Sequence, residues 1–105
     1  MVRKTASAQA GYVRVLFELP AFLWADRIFV VGEFNAWDQR SLPMTQDHRG
    51  IWQLELDLPV GRYEYRYLVN GRWLTDSQAD TLVPNEFGSL NSVIVLEVEP
   101  LLPQS

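Results

Sequence analysis

Cysteine is absent from this chain, and histidine occurs once, at His48. Disulfides and thiolate sites are thereby excluded, and a lone histidine leaves no zinc or iron constellation. No apolar run is long enough to span a bilayer. No signal peptide opens the chain either. Met1-Val2-Arg3-Lys4 is basic, but Thr5 to Gly11 is small and polar where an apolar region is required. These features fit a cytoplasmic protein. Basic residues are outnumbered, nine Lys and Arg against thirteen Asp and Glu, for a formal net charge of −4. That balance argues against nucleic acid and anionic membranes as partners. Helical periodicity, internal repeats and low-complexity segments are also lacking.

What remains is a β-rich pattern in 105 residues, 48% of them hydrophobic and 12% aromatic, with four tryptophans. This is enough for one domain with its own core. Tyr12 to Leu19 alternates, with Val13, Val15, Phe17 and Leu19 inward and Arg14 and Glu18 outward, which predicts a strand. Arg27 to Glu33 reads as a strand buried on both faces for part of its length, and Phe34 to Met44 as a loop. After the turn Asp47-His48-Arg49-Gly50, Ile51 to Leu58 puts Trp52, Leu54, Leu56 and Leu58 on one face. Thr75 to Ser89 has no period and reads as a long loop, a length more often functional than accidental. Asn91 to Glu99 is the last strand, with Val93 and Val95 on one face and Ile94, Leu96 and Val98 on the other; Pro100 and Pro103 end it. About seven short strands predict an all-β fold, an immunoglobulin-like antiparallel β-sandwich without that fold's cysteine pair. Residues 1–10 are expected to be a flexible tail, 11–100 the sandwich domain and 101–105 a second tail.

The strongest local signal is Arg62 to Leu74, RYEYRYLVNGRWL. Asn70-Gly71 predicts a type I′ turn, because both central residues must take positive φ. Val69 then pairs with Arg72, Leu68 with Trp73 and Tyr67 with Leu74. Faces alternate with period two, so Glu64, Arg66, Leu68 and Trp73 point one way and Tyr63, Tyr65, Tyr67 and Leu74 the other. The second set has the composition of a core. The first puts a tryptophan diagonally across from an arginine.

Catalytic chemistry finds little support. His48 lies in a polar turn with no nucleophile marked out beside it. Asp76 and Asp80 lack the glycine and closing glutamate of a calcium loop, so capping or solvation is their expected role. Glu55, Asp57 and Glu64 fall on outward strand faces, where a small sandwich offers no cleft for glycoside hydrolysis. Binding chemistry is better represented. Trp37 sits in the polar loop GEFNAWD, and Trp73 shares a face with Arg66, whereas Trp24 and Trp52 read as core or rim residues. Exposed rings beside a guanidinium and amides suit a sugar, whose C–H face packs on an aromatic plane while its hydroxyls take polar hydrogen bonds. A stacked nucleic-acid strand or a protein hot spot would use the same residue types.

Three segments, IFVVGEFNAWD (Ile28 to Asp38), LPVGRYEYRYLVNGRW (Leu58 to Trp73) and FGSLNSVIVL (Phe87 to Leu96), closely resemble carbohydrate-binding module family 48 in order and spacing. That family is the early-set domain of the glycogen-binding region of the AMP-activated protein kinase β subunit. It also lies N-terminal in isoamylases, pullulanases and glycogen branching enzymes. The resemblance covers roughly Tyr12 to Val98. It implies that Trp37 and Trp73 stack on α-1,4-linked glucose, and that Arg66 stands where a lysine usually bonds the hydroxyls. It further implies that Phe87 projects across the glucan and that Ser89 and Asn91 supply polar contacts. Asn70 replaces a common aspartate in the turn, a mild exchange because both tolerate left-handed φ.

The expectation is therefore a non-catalytic module for α-glucan, glycogen-like or starch-like, with no cofactor and no metal. It would assist a glycoside hydrolase or kinase partner in trans. The alternative is an interaction or scaffold subunit whose sugar site is vestigial.

Overall fold

The computed structural model describes residues 2–21 and 25–97. Nine strands occur among them: β1 Val2–Ala6, β2 Tyr12–Leu19, β3 Ile28–Gly32, β4 Thr45–Gln46, β5 Trp52–Pro59, β6 Gly61–Val69, β7 Arg72–Leu74, β8 Thr81–Pro84 and β9 Leu90–Leu96. They form two antiparallel sheets. One runs β1-β2-β5-β4; the other runs β3-β6-β9-β8, with β7 also paired to β6. The architecture is the expected β-sandwich.

Alternation builds the core. Val13, Val15, Phe17 and Leu19 of β2 and Trp52 and Leu58 of β5 meet Ile28 and Val30 of β3, Tyr65 and Tyr67 of β6, and Ile94 and Leu96 of β9. The β6–β7 hairpin has the anticipated register, Tyr67 opposite Leu74, Leu68 opposite Trp73 and Val69 opposite Arg72. Asn70 and Gly71 take φ of 48° and 80°, as a type I′ turn demands. The Asn70 side-chain oxygen accepts from the backbone N–H of Asp26 (2.8 Å) and of Arg27 (3.1 Å), tying the hairpin tip to the entrance of β3.

Three expectations are corrected. Val2–Ala6 is not a tail but a strand paired with β2, Val2 opposite Phe17 and Ala6 opposite Val13. Its own alternation is too weak to register, because its side chains are almost all exposed. The supposed loop at Thr75 to Ser89 contains β8, an edge strand on β9. Leu74 belongs to the core side of the hairpin, yet it sits exposed at the rim. Trp52 is buried as expected, while Trp24, Val98, Pro100, Pro103 and the tail at 101–105 lie outside the described residues.

Asp76 is not solvated: it is 6% exposed, and it caps the turn that follows it. Its carboxylate accepts from the Tyr65 hydroxyl at 2.7 Å, the Tyr67 hydroxyl at 3.3 Å and the Gln78 N–H at 3.0 Å. Ser92 Oγ accepts from the Asp76 N–H (2.7 Å) and donates to its carbonyl (3.1 Å), which fastens the 75–80 segment to β9. Burial first, and then the neighbouring Tyr67 and Asp76, push the Tyr65 hydroxyl far above its ordinary range; burial and Asp76 do the same to Tyr67. Both therefore stay protonated in the folded state, whereas in the unfolded chain they ionise near pH 10. Above that pH the unfolded state binds fewer protons, so stability is full below it and falls as pH rises, by about 1.4 kcal/mol per unit for each tyrosine. Urea denaturation at stepped pH is expected to show this fall, and Tyr65→Phe to reduce its slope by about half. Tyr65→Phe should also lose about 1–3 kcal/mol at neutral pH by leaving a buried carboxylate short of a donor.

Candidate functional site

Outward side chains of the second sheet, with two loops at its end, form a shallow groove of about 560 Å³. Glu33, Trp37, Glu64, Arg66, Trp73, Pro84, Asn85, Glu86, Phe87 and Asn91 line it. Five of the six expected site residues thus share one surface. Ser89 does not face the groove. Its hydroxyl accepts from the Arg66 guanidinium at 3.2 Å.

The Trp37 loop is built by Asn35. A short 3₁₀ turn, Glu33–Asn35, leaves β3, and the Asn35 side chain then spans the loop it starts. Its oxygen accepts from the Gly32 N–H at 3.0 Å, and its amide donates to the Asp38 carbonyl (3.0 Å) and Ser41 Oγ (2.9 Å). The Trp37 N–H closes the turn on the Gly32 carbonyl at 2.8 Å. Within this frame Ala36 and Trp37 have φ of 55° and 59°, two consecutive left-handed residues that are not glycine. Each such conformation costs roughly 1–2 kcal/mol, so the surrounding bonds must hold it. Gly32 fixes the base: a Cβ there would stand 2.7 Å from both the Glu64 carbonyl oxygen and Tyr65 Cβ. The outcome is an indole 38% exposed over the groove.

Trp73, 42% exposed, comes from the other arm of the hairpin, and the Arg66 guanidinium carbon lies 5.4 Å from its ring centroid. Arg66 also reaches Thr75 Oγ1 at 3.4 Å, while its Nε is buried with no partner among the described residues. Asn91, 8% exposed, donates to Glu64 at 3.1 Å and accepts from Asn85 at 3.1 Å. Asn85 in turn accepts from the N–H groups of Phe87 (2.9 Å) and Ser89 (3.1 Å), a bracket that leaves Phe87 84% exposed.

Glu33, Glu64 and Asn85 were not singled out by their sequence context. Glu64 had the one available signal, its place on the Arg66 face. The Asn91 amide, and then Arg62, hold the Glu64 carboxyl below the usual range. It is a fixed acceptor, the opposite of the raised carboxylic acid that a hydrolase needs. Among the described residues no cluster of acids or histidine could hold a metal ion. Three exposed rings, one guanidinium and the carboxyl groups of Glu33, Glu64 and Glu86 give a surface for stacking and for hydroxyl recognition.

The family model described as the glycogen recognition site of AMP-activated protein kinase matches residues 22–101. The chain belongs to this family. The pig 5'-AMP-activated protein kinase subunit beta-1 is 32% identical over 96 residues, covering 89% of this chain and 70% of the relative. The human beta-1 and beta-2 subunits are 33% and 31% identical over 67 residues, or 64% of this chain. Against those longer relatives the chain spans 23% and 24% of the length.

The left-handed pair beside Asn35 yields a stability test. Ala36→Gly removes the steric cost at φ 55° and is expected to raise stability by about 1 kcal/mol. Asn35→Ala is expected to lower it by about 2 kcal/mol and to shift Trp37 fluorescence, because all of its side-chain hydrogen bonds disappear together. Chemical denaturation with emission spectra of both variants checks this.

Proposed function

We propose that this chain binds α-1,4-linked glucan through the groove and performs no chemistry on it. The observation that carries the reading is convergence. Trp37, Trp73 and Phe87 come from three separate segments, and all three expose their rings on one surface. Trp37 and Trp73 stack on glucose rings and Phe87 braces the chain from its loop. Arg66 donates to hydroxyls, Glu64 accepts from them, and Asn91 offers the amide capacity left after its own two bonds. Ser89 acts by orienting Arg66.

The glycogen recognition named in the family's description supports glycogen or a like α-glucan as the ligand. The kinase named in the relatives supports a kinase assembly as the partner that the module brings to it. A glycoside hydrolase acting in trans is the other enzyme that such a module would serve, and the setting we propose is cytoplasmic. Co-sedimentation of native lysate proteins with glycogen, with and without the added chain, distinguishes the two partners.

Stacking contributes about 1 kcal/mol per ring beyond simple burial, so binding should be weak and sensitive to each ring. In calorimetry with maltoheptaose, Trp37→Ala and Trp73→Ala are each expected to weaken binding about five- to tenfold and together to abolish it. No heat of binding by the unaltered chain, or an unchanged affinity in the double variant, would falsify the reading.

A further inference from the structure

A second groove, of about 680 Å³, lies on the same face of the same sheet. It is lined by Asp26, Arg27, Phe29, Gln39, Arg40, Leu68, Asn70 and Gly71. Its two walls continue the walls of the first groove. On one side the loop that presents Trp37 carries on into Gln39 and Arg40. On the other, Leu68 is the cross-strand partner of Trp73, and Phe29 is the partner of Leu68 on the next strand. Phe29, Leu68 and Trp73 therefore form one apolar row across three adjacent strands, reaching from one groove to the other.

The polar groups are equally suggestive. The side chains of Arg27 and Arg40 make no ion pair or hydrogen bond among the described residues, and both are exposed. Arg3, Lys4, Arg14, Arg49 and Arg62 all pair with carboxylates, whereas exposed Arg72, outside this groove, likewise makes no ion pair among the described residues. Both arginines are also held in place at the backbone. Asn70 takes the Arg27 N–H, and the Asp38 carboxylate takes the Arg40 N–H at 2.8 Å.

We propose that this second groove is an extension subsite, in which a glucan already stacked on Trp37 and Trp73 continues over Phe29 and Leu68. Arg27 and Arg40 grip its hydroxyls there: a guanidinium presents parallel N–H donors that suit vicinal oxygens. Gln39 and Asn70 add amide contacts. The subsite rests on the glucan reading of the first groove. It adds the statement that the chain discriminates long glucans from short ones through residues beyond the tryptophans.

The test is calorimetry of the full chain, unaltered and as the Arg27→Ala/Arg40→Ala double variant, with maltotetraose and with maltodecaose. Thermal melting of the variant serves as the fold check. The expected result is a loss of about tenfold for maltodecaose with maltotetraose unchanged. An equal loss for both sugars, or no loss for either, overturns the extension while leaving the first groove intact. An unaltered chain that binds neither sugar overturns both readings. A second measurement avoids substitution altogether. Methyl resonances of Leu68 should shift on titration with maltodecaose and stay still with maltotetraose; equal shifts with both sugars would count against the extension.

Discussion

Along β6 every second side chain must point to the same face, and hydrogen bonds on both edges prevent it from slipping. Tyr67 is paired with Val30 on one side and Leu74 on the other, and Tyr65 with Gly32 and Ser92. A slip of one residue would turn both tyrosines to the surface and bury Glu64 and Arg66. Asp76 adds a chemical lock, because only the native register brings both hydroxyls to one buried carboxylate. The outer face inherits its order from this inner one. Glu64, Arg66 and Leu68 are placed by what their neighbours do in the core.

The rings are not placed by strands alone. Trp37 and Phe87 both sit on loops, where unsupported side chains would lose their orientation. Two asparagines solve this: Asn35 takes the Gly32 N–H and donates its amide across the loop, and Asn85 takes the N–H groups of Phe87 and Ser89. Asn35 holds two left-handed residues in place, and Asn85 brackets the turn that lifts Phe87 into solvent. Local strain at Ala36 and Trp37 is thus stored at the groove and held by bonds immediately beside it. A pre-formed groove loses less freedom on binding, which matters most for a shallow site with few contacts.

Much of this was legible in the residues, for reasons that can be stated. Tyr12 to Leu19 alternates without interruption, and Asn-Gly specifies its turn so closely that the hairpin register followed at once. Resemblance located the groove because its motif residues lie in three spaced segments. Val2–Ala6 was not legible: an edge strand with exposed side chains has no hydrophobic pattern, and only its pairing with β2 makes it a strand. Thr81–Pro84 was hidden for the same reason, with a proline at its end that reads as loop. Asp76 could not be recognised from sequence, since its role depends on two tyrosines that meet it only once β6 is folded. The hydrogen bond from Arg66 to Ser89 was equally hidden, since it joins two segments that spacing alone does not bring together.

Aromatic stacking by itself is tolerant, because any sugar offers an apolar face to a ring. Selectivity in such a groove has to come from polar groups that cannot rearrange. Glu64 is fixed as an acceptor by Asn91, and Asn91 is fixed by Asn85. Arg66 is fixed as a donor between Ser89, Thr75 and the Trp73 ring. A hydroxyl pattern that matches these directions gains bonds, and one that does not leaves a charged group desolvated, which costs more than the missing bond would have contributed. The side chains behind the groove therefore set where its polar groups point, while the exposed rings supply its apolar surface.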